Sequence, residues 1–132
     1  MDDQFALIIE DDYDASFIFS EALQAAGFKT EIVRSGDAAM AWLAAARPDV
    51  VVLDLHLPRV AGTEILRQIR ADTRLAETHV IVATADPRLA DTLQDEADLV
   101  LIKPISFSQL RDLSARLRSA QRAVRNEDAI IM

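Results

Sequence analysis

The sequence predicts an α/β fold, with five strands alternating with five helices in a doubly wound parallel sheet. Three observations carry that expectation. Short, nearly continuous apolar runs recur along the chain, as expected of strands buried on both faces. Between them lie segments whose apolar residues repeat at helical spacing. Gly, Pro, Ser and Asp punctuate the boundaries between the two kinds of segment. A strand–helix alternation of this sort implies right-handed crossovers, with helices on both faces of the sheet.

Phe5–Glu10 ("FALIIE") reads as the first strand, and Tyr13–Ala26 as a helix stopped by Gly27. Phe28–Val33 alternates like a half-covered edge strand. Ser35 or Asp37 can cap an alanine-rich helix that Pro48 ends. Asp49–Asp54 is the third strand, and Gly62–Asp72 a helix with Ile65, Leu66 and Ile69 on one face. His79–Ala85 is the fourth strand, Pro87–Glu96 a short helix, and Asp98–Ile102 the fifth strand. The last helix starts near Ser106, with Ser108 an alternative cap and a stripe of Phe107, Leu110, Leu113 or Ser114, and Leu117. Strands one, three and four are the most apolar and belong at the centre; the second belongs at an edge.

The 132 residues suit one domain: 51% are hydrophobic and 27% charged. No apolar run approaches the ~20 residues needed to span a bilayer, and no signal-peptide pattern is present. The absence of cysteine rules out disulfides and thiolate metal sites, and a cytoplasmic location is expected. A net charge of −8 argues against direct nucleic-acid binding. Most of that charge is ordinary solvation; the question is whether part of it is gathered at a cation site.

The run "VVVLDLHLPRV" (Val50–Val60) sharpens the question, because a fully apolar strand ends on the carboxylate of Asp54. In a doubly wound sheet, ligands sit beyond the carboxyl ends of the strands. There the first strand carries Glu10, Asp11 and Asp12, the third Asp54, the fourth Thr84 and the fifth Lys103-Pro104. With Asp12 set aside as a helix cap, three acids, a hydroxyl and an ammonium converge on one rim. Clustered carboxylates suit Mg2+, and Asp54 is placed to act as a nucleophile toward phosphorus. Lys103 and Thr84 can hold phosphoryl oxygens. Asp12 reads more simply as a helix cap, Trp42 as packing, and His79 as the start of a strand.

"LIIEDD", "VVLDLHLP", "VATAD" and "LIKP", in that order, resemble the receiver domain of two-component response regulators over residues 4–120. The resemblance implies a flavodoxin-like (βα)5 fold with strand order 2-1-3-4-5. It implies Asp54 as phosphoacceptor, Thr84 as switch hydroxyl and Lys103 as phosphate contact, its bond to Pro104 cis. It implies Mg2+ held by Glu10, Asp11, Asp54 and the backbone carbonyl of His56. The implied partners are a sensor histidine kinase or histidine phosphotransfer protein and a downstream protein target, with no direct nucleic-acid or membrane contact. A homodimer through the fourth helix, fifth strand and fifth helix is a further expectation. The protein is read as a phosphoacceptor that catalyses its own phosphorylation and dephosphorylation, not as a turnover enzyme.

Three departures from the family pattern stand out. Val100 occupies the place of the usual aromatic switch residue. The stretch from Thr84 to Lys103 is short by about one helical turn, with Glu96 where glycine is common. His56 and Asp86 border the site, two residues after Asp54 and Thr84 respectively. Val100 and the shortened fourth helix motivate an alternative, a pseudoreceiver-like interaction module whose switch does not transmit. A phosphohydrolase of another doubly wound family would pair Asp54 with a second Asp two residues on, where this chain has His56. Residues 1–124 read as the receiver and 125–132 as a C-terminal tail, frayed or docked through its Ala129–Met132 end, with no separate output domain.

Overall fold

The computed structural model describes residues 4–131, with side chains placed up to residue 119. Its strands are β1 (Phe5–Ile9), β2 (Lys29–Val33), β3 (Val50–Asp54), β4 (His79–Thr84) and β5 (Leu99–Ile102). The helices between and after them are α1 (Tyr13–Ala25), α2 (Gly36–Ala45), α3 (Gly62–Ala71), α4 (Pro87–Thr92) and α5 (Phe107–Ile131). A single 3-10 turn, Thr73–Leu75, follows α3. All strands pair in parallel, in the order β2-β1-β3-β4-β5. The predicted topology is the one observed, with β2 and β5 at the edges.

Alternation along the strands builds two cores. Leu7, Ile9, Val51, Leu53, Val80 and Val82 face α2 and α3, where they meet Leu43, Ile65, Leu66 and Ile69. Ala6, Ile8, Val50, Val52, Ile81 and Ala83 face α1 and α5, against Phe19, Leu23 and Leu110. Each large aliphatic side chain so buried contributes about 1.5–3 kcal/mol. Because β3 is buried along its whole length, it has almost no freedom to slip, which fixes where Asp54 emerges.

Caps set the helix starts. Asp12 accepts from the Ala15 amide at 2.8 Å, so its role as cap is observed. Ser35, not Asp37, caps α2. Ser106 accepts from the Gln109 amide at 3.0 Å and starts α5. Gly27 ends α1 with φ +101°, a conformation glycine adopts freely. Trp42 stacks on Phe5 with ring centroids 5.1 Å apart, a packing role as expected.

Two details differ from expectation. Helix α4 stops at Thr92; beyond it the chain turns, with the Glu96 and Ala97 amides both donating to the Leu93 carbonyl. Phe107 does not join the core stripe of α5; it stands 36% exposed with the Arg111 guanidinium 5.7 Å from its ring. Ser114 is the buried residue beside Leu110, while Leu113 and Leu117 pack at the margin. The α5 backbone continues as helix through Ile131. The side chains that would decide whether the tail docks lie outside the described residues. No helix among the described residues is long and apolar enough to cross a membrane.

Candidate functional site

The rim at the carboxyl ends of β1, β3, β4 and β5 collects the residues the sequence singled out. Glu10 follows β1 directly, its amide donating to the Val33 carbonyl of β2. Asp54 is the last residue of β3, in register with Ala83 of β4. Thr84 ends β4 opposite Ile102, and its carbonyl accepts from the Lys103 amide at 2.8 Å. The Lys103–Pro104 peptide bond is cis, as the resemblance implies.

Glycine explains how the loop after Asp54 can turn away at once. A Cβ on Gly62 would sit 2.6 Å from the Asp54 carbonyl oxygen and 2.5 Å from the Leu55 Cα. The start of α3 is therefore pressed against the backbone at the end of β3. It has no side-chain cap; the Gly62 amide donates instead to the Leu55 carbonyl at 3.2 Å. Arg59, in the same loop, has φ 73° and pairs with Asp37 at 3.0 Å.

One oxygen from each of Glu10, Asp11 and Asp54 lies within 4.8 Å of the others. Glu10 and Asp54 are almost fully buried, whereas Asp11 is exposed at the mouth. The Lys103 ammonium stands 2.8 Å from Glu10 and 3.5 Å from Asp54. Backbone amides complete the orientation: Asp12 donates to the other Glu10 oxygen at 3.2 Å, and His56 to Asp54 Oδ1 at 3.1 Å. Thr84 is wholly buried, and its hydroxyl oxygen accepts from the Asp86 amide at 3.1 Å.

The electrostatics follow from crowding. Burial, followed by the proximity and charge of Asp54, pushes the Glu10 carboxyl up to about 7, against the pull of Lys103 and the Asp12 amide. Burial alone would lower the Lys103 ammonium; its contacts with Glu10 and Asp54 outweigh that and raise it. One cation thus faces three carboxylates. This is a deficit of positive charge lined with hard oxygen donors, and the donor set suits Mg2+, which binds carboxylates and keeps several waters.

The family model of the response regulator receiver domain matches residues 6–115. The chain belongs to that family. The DNA-binding response regulator MtrA of Mycolicibacterium smegmatis is 32% identical over 128 residues, 95% of this chain and 53% of the relative. The chain therefore spans about half the length of such curated relatives. A signal receiver domain of a histidine kinase from Syntrophus aciditrophicus superposes with TM-score 0.78 at 30% identity, covering 89% of this chain and 91% of its own. The Mn(2+)-bound form of response regulator Rcp1 gives 0.72 at 26% identity, with 88% and 92% covered. This is a two-component receiver domain, a signalling module.

The sequence did not single out a second polar cluster, at the opposite end of the sheet. There Asp98, just before β5, meets His79, the Val80 amide and Arg70. The available signals were an Asp preceding an apolar run and an Arg in the last turn of α3. Neither is specific, because Arg70 is committed largely to the backbone carbonyls of Glu96 and Thr78.

Proposed function

We propose that this receiver accepts a phosphoryl group on Asp54 from a phosphohistidine of a sensor kinase or phosphotransfer protein. The observation that carries the reading is the buried Asp54 carboxylate, with Lys103 3.5 Å away and Glu10 and Asp11 beside it. In the transfer, the phosphorus–nitrogen bond of the donor breaks as a phosphorus–oxygen bond forms to Asp54, and the donor histidine takes up a proton. When bound, Mg2+ would neutralise phosphoryl oxygens at Glu10, Asp11, Asp54 and the His56 carbonyl. Lys103 pairs with a further oxygen as a point charge, exchanging its present bond to Glu10 for one to phosphate. Thr84 donates its hydroxyl proton to the phosphoryl group, and the Asp86 amide follows it. Later attack of water on phosphorus breaks its bond to the Asp54 oxygen, releasing inorganic phosphate and returning the carboxylate.

Intact-mass measurement after incubation with acetyl phosphate tests the reading. One phosphoryl adduct is expected with Mg2+, and none with excess chelator or in Asp54→Asn. Equal labelling of the variant would move the acceptor elsewhere and overturn the assignment.

Val100 favours a second reading. It is only partly buried and packs against the core in the place of the usual aromatic switch residue. A phosphorylated but non-transmitting module would show amide shifts confined to the rim when Mg2+ and beryllofluoride are added. Transmission would spread them from Thr84 to the face formed by α4, β5 and α5, where Ile102 stands exposed.

A further inference from the structure

The outer strand β5 is held to the rest of the sheet at its entry by one carboxylate. Asp98 Oδ2 accepts from the Val80 amide at 2.7 Å and from Arg70 Nη2 at 2.8 Å. Asp98 Oδ1 has His79 Nδ1 at 3.1 Å. The Asp98 amide returns a bond to the Val80 carbonyl at 2.9 Å. Arg70 extends the knot: it donates to the Glu96 carbonyl at 2.6 Å and the Thr78 carbonyl at 3.0 Å. One side chain of α3 thereby ties the entry of β4 to the turn between α4 and β5. Short α4 is then anchored at its far end here and at its near end by Asp86 beside Thr84.

Oδ2 has two donors that carry a proton at every physiological pH, whereas the partner of Oδ1 is an imidazole. Imidazoles change charge between about pH 5 and pH 8. We propose that the charge on His79 sets how firmly the edge formed by the α4–β5 turn and β5 is held to β4 and α3, making this part of the receiver proton-sensitive. With a neutral ring, Nδ1 offers a hydrogen bond; proton uptake at the other nitrogen turns the contact into an ion pair.

The lining around the pair is acidic on balance. The knot lines a cleft of about 840 Å³ in which Asp49, Glu77, Asp95, Glu96 and Asp98 face three guanidinium groups, Arg47, Arg70 and Arg74. Arg74 is spent on the carbonyls that end α2, at Leu43 and Ala46. Asp49 contributes its carbonyl, which accepts from the His79 amide at 3.0 Å. Burial would raise the Asp98 carboxyl, but the bonds from His79, Val80 and Arg70 prevail and hold it at about 2. Asp98 therefore stays ionised across the range in which imidazoles change charge. The consequence for signalling rests on the proposed function, since the same edge is the one that phosphorylation would move.

Amide exchange of Val80, Ala97 and Asp98, in the metal-free protein at pH 6 and pH 8, tests the tether after correction for intrinsic rates. The wild type is expected to be roughly threefold to fivefold better protected at the lower pH, the range for a partly exposed ion pair. His79→Gln retains a donor without a titration and should abolish the difference; it leaves His56 in place as an internal control. The same pH ratio in both proteins overturns the proposal. So does an unchanged ratio in Asp98→Asn, a variant that keeps the side-chain shape and removes the charge. None of these readouts involves Asp54, so failure of phosphorylation and failure of the tether are told apart.

Discussion

The two ends of the sheet solve opposite problems with the same residue types. At the amino ends, the Asp98 carboxylate is surrounded by Arg70, His79 and the Val80 amide, and its pKa falls to about 2. At the carboxyl ends, Glu10, Asp11 and Asp54 share one ammonium, and Glu10 rises to about 7. The first cluster has satisfied its charge and holds strands together. The second has an excess of negative charge that the fold leaves uncompensated. An electrostatic deficit of this kind is where a cation and a phosphoryl group find stabilisation, and structural ion pairs lack it.

Removing a cation should therefore hurt most where there is one to lose. Lys103→Met leaves Glu10 and Asp54 buried with no positive partner, and breaking such a pair costs about 3 kcal/mol. Urea unfolding in chelator should show that loss near pH 8 and a smaller one near pH 5, where Glu10 is protonated. A variant as stable as the wild type at both pH values would mean that Lys103 does not offset the rim repulsion.

The next effect sharpens the comparison at the other end. Asp98→Asn keeps the shape but halves the acceptor capacity, weakening the bonds from Arg70, Val80 and His79. Roughly 2 kcal/mol of stability should go, with β5 amides exchanging faster. The sign of the pH dependence follows from the lowered pKa. The contribution of Asp98 is present above the ordinary carboxylate value near 3.8 and is lost as pH falls toward about 2. In the variant that limb of the acid transition should flatten.

The rim was legible in the sequence and the knot was not, for a physical reason. Asp54 and Thr84 are the last residues of apolar strands, while Glu10 and Lys103 immediately follow strands. The rule that ligands gather beyond the carboxyl ends brings such residues together without knowledge of any loop. Arg70, by contrast, bonds to the Glu96 carbonyl, whose position depends on where α4 ends. The expected helix to Glu96 would have taken that residue's carbonyl out of reach of a turn; the observed stop at Thr92 presents it to Arg70. Helical periodicity also misplaced Phe107, because the first turn of α5 stands at the rim edge, where an aromatic ring has Arg111 beside it and no core beneath.

The smallest predicted effect is the most discriminating, because it reverses the sign of the substitution made at Asp98. Asp54→Asn removes a charge that Glu10 is forced to accommodate, so the metal-free fold should gain about 1 kcal/mol rather than lose stability. Glu10 has a folded value of about 7 against an ordinary 4.5. Its relative contribution is therefore fully favourable below about 4.5 and is lost as pH rises through about 7, where the folded state must release a proton into a crowded site. Neutralising Asp54 moves the folded value of Glu10 back toward the ordinary one and flattens that decline. The stability difference between variant and wild type should consequently be near zero at pH 5 and should open between pH 5 and pH 8. A difference independent of pH would place its origin in packing or hydrogen bonding around Asp54, and the contrast between the two ends would no longer be one of charge.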